Sequence, residues 1–294
     1  MVINNYKGGQ LANRIISFAH LAANSMAHGY KLYNTEFDEF CPYFEATSKN
    51  KFLSYPISIT VFNNRFTDKV ILKLFRFWTD ITHLLFTATP FYRLYRIFKS
   101  HDKKHLAFDL NDPSFVKDAT SKRVITQGWG FRDDANFFKY QDDIRNFFTP
   151  VELYRNKVAD IMKAARSKAD VIIGVHIRRG DYSRFEGGKY FYSDEVYADK
   201  MMQVENKFSK HGKRCLFLIC SNDQINLTNF PSLLNIEFSP RHFITDLYCL
   251  AATDGIIGPP STFSLWAAFY GKVPLSPIYS KDDLIEIGEY VHRC

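Results

Sequence analysis

The sequence contains no run of the roughly 18 or more uncharged apolar residues that a helix needs to span a bilayer, which excludes an integral helical membrane protein. Residues 1–9 lack the apolar core of a signal peptide, so the expected location is the cytoplasm. Cysteine is scarce and scattered: Cys41, Cys215, Cys220, Cys249 and Cys294 are odd in number and include no close metal-ligand pair. Neither a disulfide scaffold nor a metal site is expected, and reduced, mostly buried thiols are. Internal repeats and low-complexity runs are missing, as is any RNA- or DNA-binding signature, so no nucleic-acid partner is expected.

What is there is basic and rich in rings. Lys+Arg number 38 against 31 Asp+Glu, a formal net charge of +7 that suits an anionic partner such as a nucleotide or an anionic lipid headgroup without choosing between them. Aromatics at 16% suit carbohydrate stacking and membrane interfaces as readily as cores. With 294 residues the chain has room for two medium domains.

The stretch 170–185 organises the rest. Val171–Ile177 is a nearly continuous, β-branched apolar run that reads as a strand buried on both faces. Arg178, Arg179, Gly180 and Asp181 follow at once. Open α/β sheets bind ligands at the carboxyl ends of their strands, and a guanidinium offers a planar fork of donors matched to phosphate oxygens. A solvated strand end whose arginines pair with Asp181 is the plainer alternative. Taken alone, these residues leave both open.

Polar turns recur after the other expected strands. Gly8, Gly9 and Gln10 follow Val2–Asn4 and precede a helix that starts at Leu11 and stops at Gly29, with Asn13 and Arg14 in its first turn. Trp129, Arg132 and Asp133 lie on a glycine-flanked turn after a strand at 124–126. Ser221 and Asp223 follow a strand at 214–220, and Ser261, Thr262 and Phe263 follow Gly255–Gly258. Strands alternating with helices give an α/β class with parallel sheets, divided near Pro150 into domains 1–150 and 151–294. Further strands are expected at 30–33 and Ile236–Phe238, and helices at 137–148, 151–169, 193–208, 245–252 and 265–270. Residues 35–70 read as irregular and 102–121 as a polar loop containing Asp112-Pro113. Two helices are expected to flank Pro90 in 71–99, where Lys73, Arg76, Arg93, Arg96 and Lys99 interleave with large apolar residues. Such a segment suits an anionic membrane surface, or a hairpin that covers the first domain with snorkelling stems.

At this point the residues meet a family. His176-Ile-Arg-Arg-Gly-Asp-Tyr182 resembles the His-x-Arg-Arg-Gly-Asp-Tyr signature of the α-1,2-fucosyltransferases of glycosyltransferase family 11. The turn from Gly8 to Arg14 is similar to that family's Gly-Gly-Leu-Gly-Asn-Gln, with Gln-Leu-Ala for Leu-Gly and Arg14 for the last Gln. Gly128-Trp129-Gly130-Phe131 with Phe137-Phe138 resembles its Gly-Tyr-Phe-Gln-Ser…Tyr-Phe segment, with Arg132 and Asp133 as departures. The stretch 245–268 resembles the segment ending Asn-Ser-Thr-Phe-Ser-Trp-Trp-Gly, with Pro260 for the Asn and Leu265 for the first Trp. The four matches keep their order from residue 8 to residue 268. The departures bear on acceptor and linkage more than on donor.

The resemblance implies a GT-B fold, two Rossmann-like domains facing a cleft, with 1–150 on the acceptor side and 151–294 binding the nucleotide sugar. It implies inverting transfer of L-fucose from GDP-β-L-fucose to a glycan hydroxyl, the 2-OH of galactose, without cofactor or metal. A lipid-linked acceptor in surface polysaccharide synthesis would give 71–99 a role as a dock at the inner membrane face. By the same resemblance Arg178 contacts the β-phosphate, and Arg179 and Asp181 position nucleotide or shape the loop. Ser261, Thr262 and Phe263 grip the pyrophosphate, Ser221 and Asp223 line the nucleotide side, and Gly9 and Asn13 approach the donor. His176 either touches the nucleotide or packs at the strand end. Inversion calls for a base, for which Asp133 and Glu186 are both conceivable and no motif selects; the expected catalytic set is Arg178, Asp181 and Asp133. The competing readings are a GT-B enzyme using another nucleotide sugar and a non-catalytic anionic-ligand-binding protein.

Overall fold

The computed structural model describes residues 1–6, 8–34, 37, 39–48, 52–54, 58–61, 95–100 and 107–288, with single positions at 74, 77 and 81. The chain divides into two compact units, Met1–Val151 and Glu152–Cys294.

In the first unit, β1 (Val2–Asn4), β2 (Leu32–Asn34), β3 (Phe52–Ser54), β4 (Ser58–Val61), β5 (Tyr95–Lys99) and β7 (Arg123–Gln127) form a sheet in the order β3-β4-β2-β1-β7-β5. Every neighbour is parallel except β3 with β4. A separate short pair joins β6 (Phe108–Asp109) to β8 (Phe131–Arg132). Helix α1 (Leu11–His28) buries Leu11, Ile15, Phe18 and Ala22 at helical spacing, and Gly29 ends it in the left-handed conformation at φ 73°. Phe18 meets the rings of Phe37, Phe147 and Phe148 at centroid distances of 5.2, 5.3 and 5.7 Å, an edge-to-face cluster.

Four expectations for this unit need correction. The 35–70 stretch carries a 3-10 turn (Cys41–Tyr43), helix α2 (Glu45–Ser48) and two strands. The end of the 71–99 segment is strand β5, not helix, paired parallel with β7; its Tyr-Arg-Ile-Phe-Lys fits an alternating pattern as well as a helical one. Arg96 there pairs with Asp118 at 3.2 Å. Positions 74, 77 and 81 are helical, with Leu74 and Phe77 exposed, and the rest of 71–94 lies outside the described residues. The expected polar loop contains α3 (Pro113–Ser121): Asp112 caps it by accepting from the Ser114 and Phe115 N–H groups at 2.8 and 3.2 Å, and Pro113 fills the first helical position. The helix expected over 137–148 is two, α4 (Asp134–Lys139) and α5 (Gln141–Phe147), broken at Tyr140.

The second unit is a parallel sheet of β9 (Val171–Ile177), β10 (Cys215–Ser221), β11 (Ile236–Phe238), β12 (Gly255–Gly258) and β13 (Leu275–Pro277). Its helices are α6 (Glu152–Arg166), α7 (Asp194–Ser209), α8 (Phe243–Leu250) and α9 (Thr262–Gly271). Strand order is β11-β10-β9-β12-β13, the Rossmann order 3-2-1-4-5 in chain sequence. All seven residues of β9 and all seven of β10 are buried, which is why both read as continuous apolar runs. Gly174 of β9 lets α8 close in: a Cβ there would stand 2.6 Å from a Leu250 methyl. The chain leaves β9 toward β10 and β11, then returns to lay β12 on the other side. The strand order therefore reverses between β9 and β12, and open α/β sheets hold ligands in the crevice beyond that point. Among the described residues, no helix is long and apolar enough to cross a membrane. Four described cysteines, Cys41, Cys215, Cys220 and Cys249, are buried free thiols.

Candidate functional site

The reversal point of the second sheet brings together two of the turns singled out above. Arg178 leaves β9, with its side chain 15% exposed, and pairs with Asp181 at 2.8 Å across one 3-10 turn. Its guanidinium carbon lies 5.5 Å from the Tyr182 ring centre. Tyr182 in turn donates its hydroxyl hydrogen to the Pro260 carbonyl at 2.6 Å, which ties the turn after β9 to the turn after β12. The second turn opens α9, where Ser261 accepts from the Phe263 N–H at 3.2 Å as helix cap. Gly258 lets the two strand ends approach, since a Cβ there would stand 2.6 Å from the His176 carbonyl oxygen. A guanidinium and the N-terminus of a ten-residue helix thus share one edge, and both favour anions.

Arg179, adjacent in sequence, turns inward. It donates to the Tyr192 carbonyl and to Asp194, and its backbone N–H donates to Asn222 at 3.0 Å. The placement fits loop shaping and leaves its guanidinium engaged within its own unit. His176 packs too: it is buried, with Nδ1 2.7 Å from Ser264 Oγ and its ring 5.1 Å from that of Phe263. Burial, then the charge of Arg178, lowers its pKa to about 3, so it is neutral and acts as a support for the start of α9. Ser221 is buried and accepts from the Asp223 N–H at 3.1 Å, while Asp223 is exposed and accepts from the Gln224 N–H at 2.7 Å. Thr262 and Phe263 are half-buried in the first turn of α9.

In the first unit, Gly9 sits at φ 68°, and a Cβ there would stand 2.1 Å from Asn13 Nδ2. Asn13 lies in the first turn of α1, and its carbonyl accepts from the Trp129 indole N–H at 3.2 Å. Asp133 requires a correction. It is 1% exposed and caps α4. Its two oxygens accept from Asn136 N–H at 3.0 Å, Asn136 Nδ2 at 2.8 Å, Asn24 Nδ2 at 2.8 Å and Asn111 Nδ2 at 2.7 Å. Burial alone would raise its pKa, but these hydrogen bonds outweigh burial and hold it below the usual carboxylate value. A base needs a lone pair open to the acceptor hydroxyl, and Asp133 has none to offer; its role is structural. Glu186 is the reverse case, an exposed carboxylate in the left-handed region at φ 46°, on the loop that starts with Arg178.

Several residues of this edge were not singled out from the sequence. Ser264 carried a signal, because it belongs to the matched Ser-Thr-Phe-Ser stretch. Tyr182 did as well, closing the His-x-Arg-Arg-Gly-Asp-Tyr match. Asp194 and Asn222 carried none, since an acid in a first helical turn and an amide in a polar turn are ordinary there. Among the described residues, no group of three or more His, Cys, Asp or Glu is placed to hold a metal ion.

Comparison with known proteins bears directly on this edge. The chain is similar over its length to a mutant of Arabidopsis thaliana FUT1 in complex with GDP, with a TM-score of 0.57, 14% identity, and coverage of 94% of this chain and 69% of that one. NodZ α-1,6-fucosyltransferase soaked with GDP-fucose is similar at a TM-score of 0.54 and 14% identity, over 94% of each chain. POFUT1 in complex with GDP-fucose is similar at 0.54 and 12% identity, over 93% of this chain and 95% of that one. At these identities the likeness establishes the fold, α/β of the GT-B kind with two Rossmann-like units. No curated protein is similar enough in sequence to count as a match. The sequence model described as glycosyl transferase family 11 matches residues 127–273, half of the chain. That span runs from the Trp129 turn past the end of α9, so the turns after β9, β10, β11 and β12 fall inside it, and the chain belongs to glycosyl transferase family 11.

Proposed function

We propose that this family-11 chain transfers L-fucose from GDP-β-L-fucose to a sugar hydroxyl with inversion at the anomeric carbon. One observation carries the reading: Tyr182 bonded to Pro260 holds Arg178 beside the capped N-terminus of α9 at the reversal point of a Rossmann-order sheet. Both groups suit a departing diphosphate, which needs fixed positive charge and donors where negative charge develops. In this reading Arg178 exchanges Asp181 for the β-phosphate, and Ser261, Thr262 and Phe263 offer hydroxyl and N–H groups to the pyrophosphate. Ser221 and Asp223 face the nucleotide, and Arg179 and His176 keep the turns in place. The acceptor hydroxyl attacks the anomeric carbon as the bond to the β-phosphate oxygen breaks. Its proton passes to Glu186, and the electron pair leaves with GDP. The acceptor is a glycan, and the expected target is the 2-OH of galactose in a lipid-linked oligosaccharide. No metal takes part, because the leaving group is met by Arg178 and the helix terminus.

The test is incubation with GDP-fucose in EDTA, using free β-galactosides and lipid-linked ones on anionic vesicles, with the linkage read by NMR. A fucosylated product is expected in EDTA. Stronger thermal stabilisation by UDP than by GDP refutes the donor, and transfer abolished by EDTA refutes the metal-free step. Glu186→Gln is expected to lower kcat by about 100-fold or more with GDP affinity unchanged, in line with the 10²–10⁴ typical of acid–base catalysis. A kcat within threefold of the parent removes Glu186 as the base.

A further inference from the structure

The loop 184–191, which continues from the Arg178 turn, carries two rings that the core does not take up: Phe185 is 46% exposed and Phe191 43%. A lone exposed phenylalanine is ordinary on a protein surface. What sets Phe185 apart is the ring it rests on. It lies 5.1 Å from the Tyr182 ring at 27° and 6.4 Å from the Tyr190 ring at 33°. Tyr182 is also the ring beside the Arg178 guanidinium, at 5.5 Å, and its hydroxyl bonds the Pro260 carbonyl. Two ring contacts therefore lead from the diphosphate-side guanidinium to an open aromatic surface. Tyr182 and Tyr190 are buried, so Phe185 is the ring of this stack that reaches solvent. Phe191 rests instead on the inward-turned Arg179, 5.3 Å from its guanidinium carbon.

The backbone is bent to hold this arrangement. Glu186, Gly187 and Gly188 follow Phe185 at φ 46°, 70° and 81°, three left-handed residues in a row. Glycine adopts that region freely, but a glutamate there is strained, and such strain persists where its surroundings impose it, commonly at ligand sites. The turn also brings the carboxylate back toward the stack. Burial raises the pKa of the Tyr182 phenol, and the charges of Asp181 and Glu186 raise it further against the lowering by Ser261 and Arg178, so the Glu186 charge is felt at Tyr182. An open ring with a carboxylate next to it suits a pyranose, which has a C–H face for the ring and rim hydroxyls that donate to the acid. It does not suit a phosphate, which Glu186 repels.

We propose that Phe185 is a stacking platform for the acceptor sugar, its open surface taking the C–H face of the ring while Glu186, next along the chain, meets the hydroxyl. The proposal deepens the fucosyl-transfer reading and rests on it. Stacking of this kind selects the shape of the acceptor and leaves the donor untouched, so it separates from donor binding in an experiment.

Phe185→Ala, Phe185→Leu and Phe185→Trp on the full chain separate stacking from apolar contact alone, and Phe191→Ala controls for disturbance of the loop. About half of Phe185 is already in solvent, so the alanine variant is expected to lose no more than about 4 °C in Tm; if it loses more, the leucine and tryptophan variants, which keep Tyr182 covered, carry the test. Saturation-transfer NMR with the methyl β-glycosides of galactose, glucose and N-acetylglucosamine, in the presence of GDP, needs no turnover. At least one is expected to bind the parent, at least fivefold more weakly Phe185→Ala and Phe185→Leu, and undiminished Phe185→Trp. In turnover with GDP-fucose, acceptor KM is expected to rise about tenfold in the alanine and leucine variants with kcat within threefold and GDP affinity unchanged, and to stay within threefold in Phe185→Trp and Phe191→Ala. If the parent transfers no fucose, the fucosyl-transfer reading falls and the NMR comparison alone decides the platform. The proposal is overturned if the parent binds none of the glycosides, if alanine and leucine leave binding and KM unchanged, or if Phe191→Ala raises KM as much. It is also overturned if Phe185→Ala weakens GDP but not inorganic pyrophosphate, which puts the guanine on the ring. Lost flotation with phosphatidylglycerol vesicles at unchanged sugar binding overturns it too, giving the ring to a lipid surface.

Discussion

Replacing Arg179 and Arg178 one at a time separates the scaffold from the site. The Arg179 side chain is 11% exposed and that of its partner Asp194 is 14% exposed. Its guanidinium also bonds the Tyr192 carbonyl and lies 5.3 and 5.7 Å from the ring centres of Phe191 and Tyr197, while Asp194 accepts from Asn229 Nδ2 at 2.8 Å. Removing one member of a buried pair costs about 3–5 kcal/mol, because the other charge stays behind uncompensated. Residual exposure puts Arg179→Ala near the lower end, about 3 kcal/mol. At about 2–4 °C per kcal/mol for units of this size, Tm is expected to fall by roughly 6–12 °C. Arg178 faces Asp181, which is 61% exposed, so Arg178→Ala loses a pair of the solvated kind, about 0–1 kcal/mol. Its Tm is expected within about 2 °C of the parent, with transfer reduced by far more than the tenfold that about 1.4 kcal/mol of barrier represents. Thermal and urea unfolding, followed by GDP titration of each folded variant, measure both effects. Arg179→Lys is not expected to restore stability, since one ammonium cannot reproduce the planar fork that serves both Tyr192 and Asp194. An Arg179→Ala variant with unchanged Tm and GDP affinity reduced more than tenfold would refute the argument and return Arg179 to the nucleotide.

Asp133→Ala removes a helix cap and takes one acceptor each from the Asn24, Asn111 and Asn136 side chains, so a loss of about 3 kcal/mol is expected in urea unfolding. The folded fraction is expected to keep its GDP affinity, and a stable but inactive variant would restore Asp133 as a base. His176 makes stability depend on pH. Its folded pKa of about 3 lies below the 6.5 of an ordinary histidine, so the unfolded chain binds a proton that the folded chain refuses, and stability falls as pH drops below 6.5. Between pH 7.5 and 5.0 this amounts to about 2 kcal/mol, and the stability gap between parent and His176→Asn is expected to shrink by that amount. A gap that stays constant over this range would show that His176 titrates alike in the folded and unfolded chains and is not held neutral by burial. Asp246 titrates in the opposite sense, its pKa raised to about 6 by burial, so the comparison of parent with variant is the informative quantity, not the parent's own profile.

What the sequence made legible is tied to burial on two faces. Val171–Ile177 and Gly255–Gly258 were readable to the residue because a strand covered by helices on both sides must be apolar throughout and must change character where it surfaces. Gly29 was readable because a left-handed cap has few occupants. β5 was not: Tyr-Arg-Ile-Phe-Lys suits either period, and its state is decided by pairing with Arg123–Gln127, distant in the chain. Asp112-Pro113 was misread for a related reason, since the same dipeptide opens a turn or caps a helix and the following residues decide.

At the site the ambiguity is sharper, and its cause is general. Arg178 and Arg179 are chemically identical neighbours at a strand end, where successive side chains point to opposite sides. One is therefore offered to whatever lies beyond the edge and the other to the unit's own chain. Which is which depends on where residues 192–194 return, and that is a property of the loop path and not of the arginines. Asp133 repeats the pattern, as an acid on a ring-bearing turn that looked catalytic until its four donors were placed. The same reasoning gives the signature by which such pairs are told apart without a ligand: substitution of the outward member costs activity at constant Tm, and substitution of the inward member costs Tm first and activity only through it.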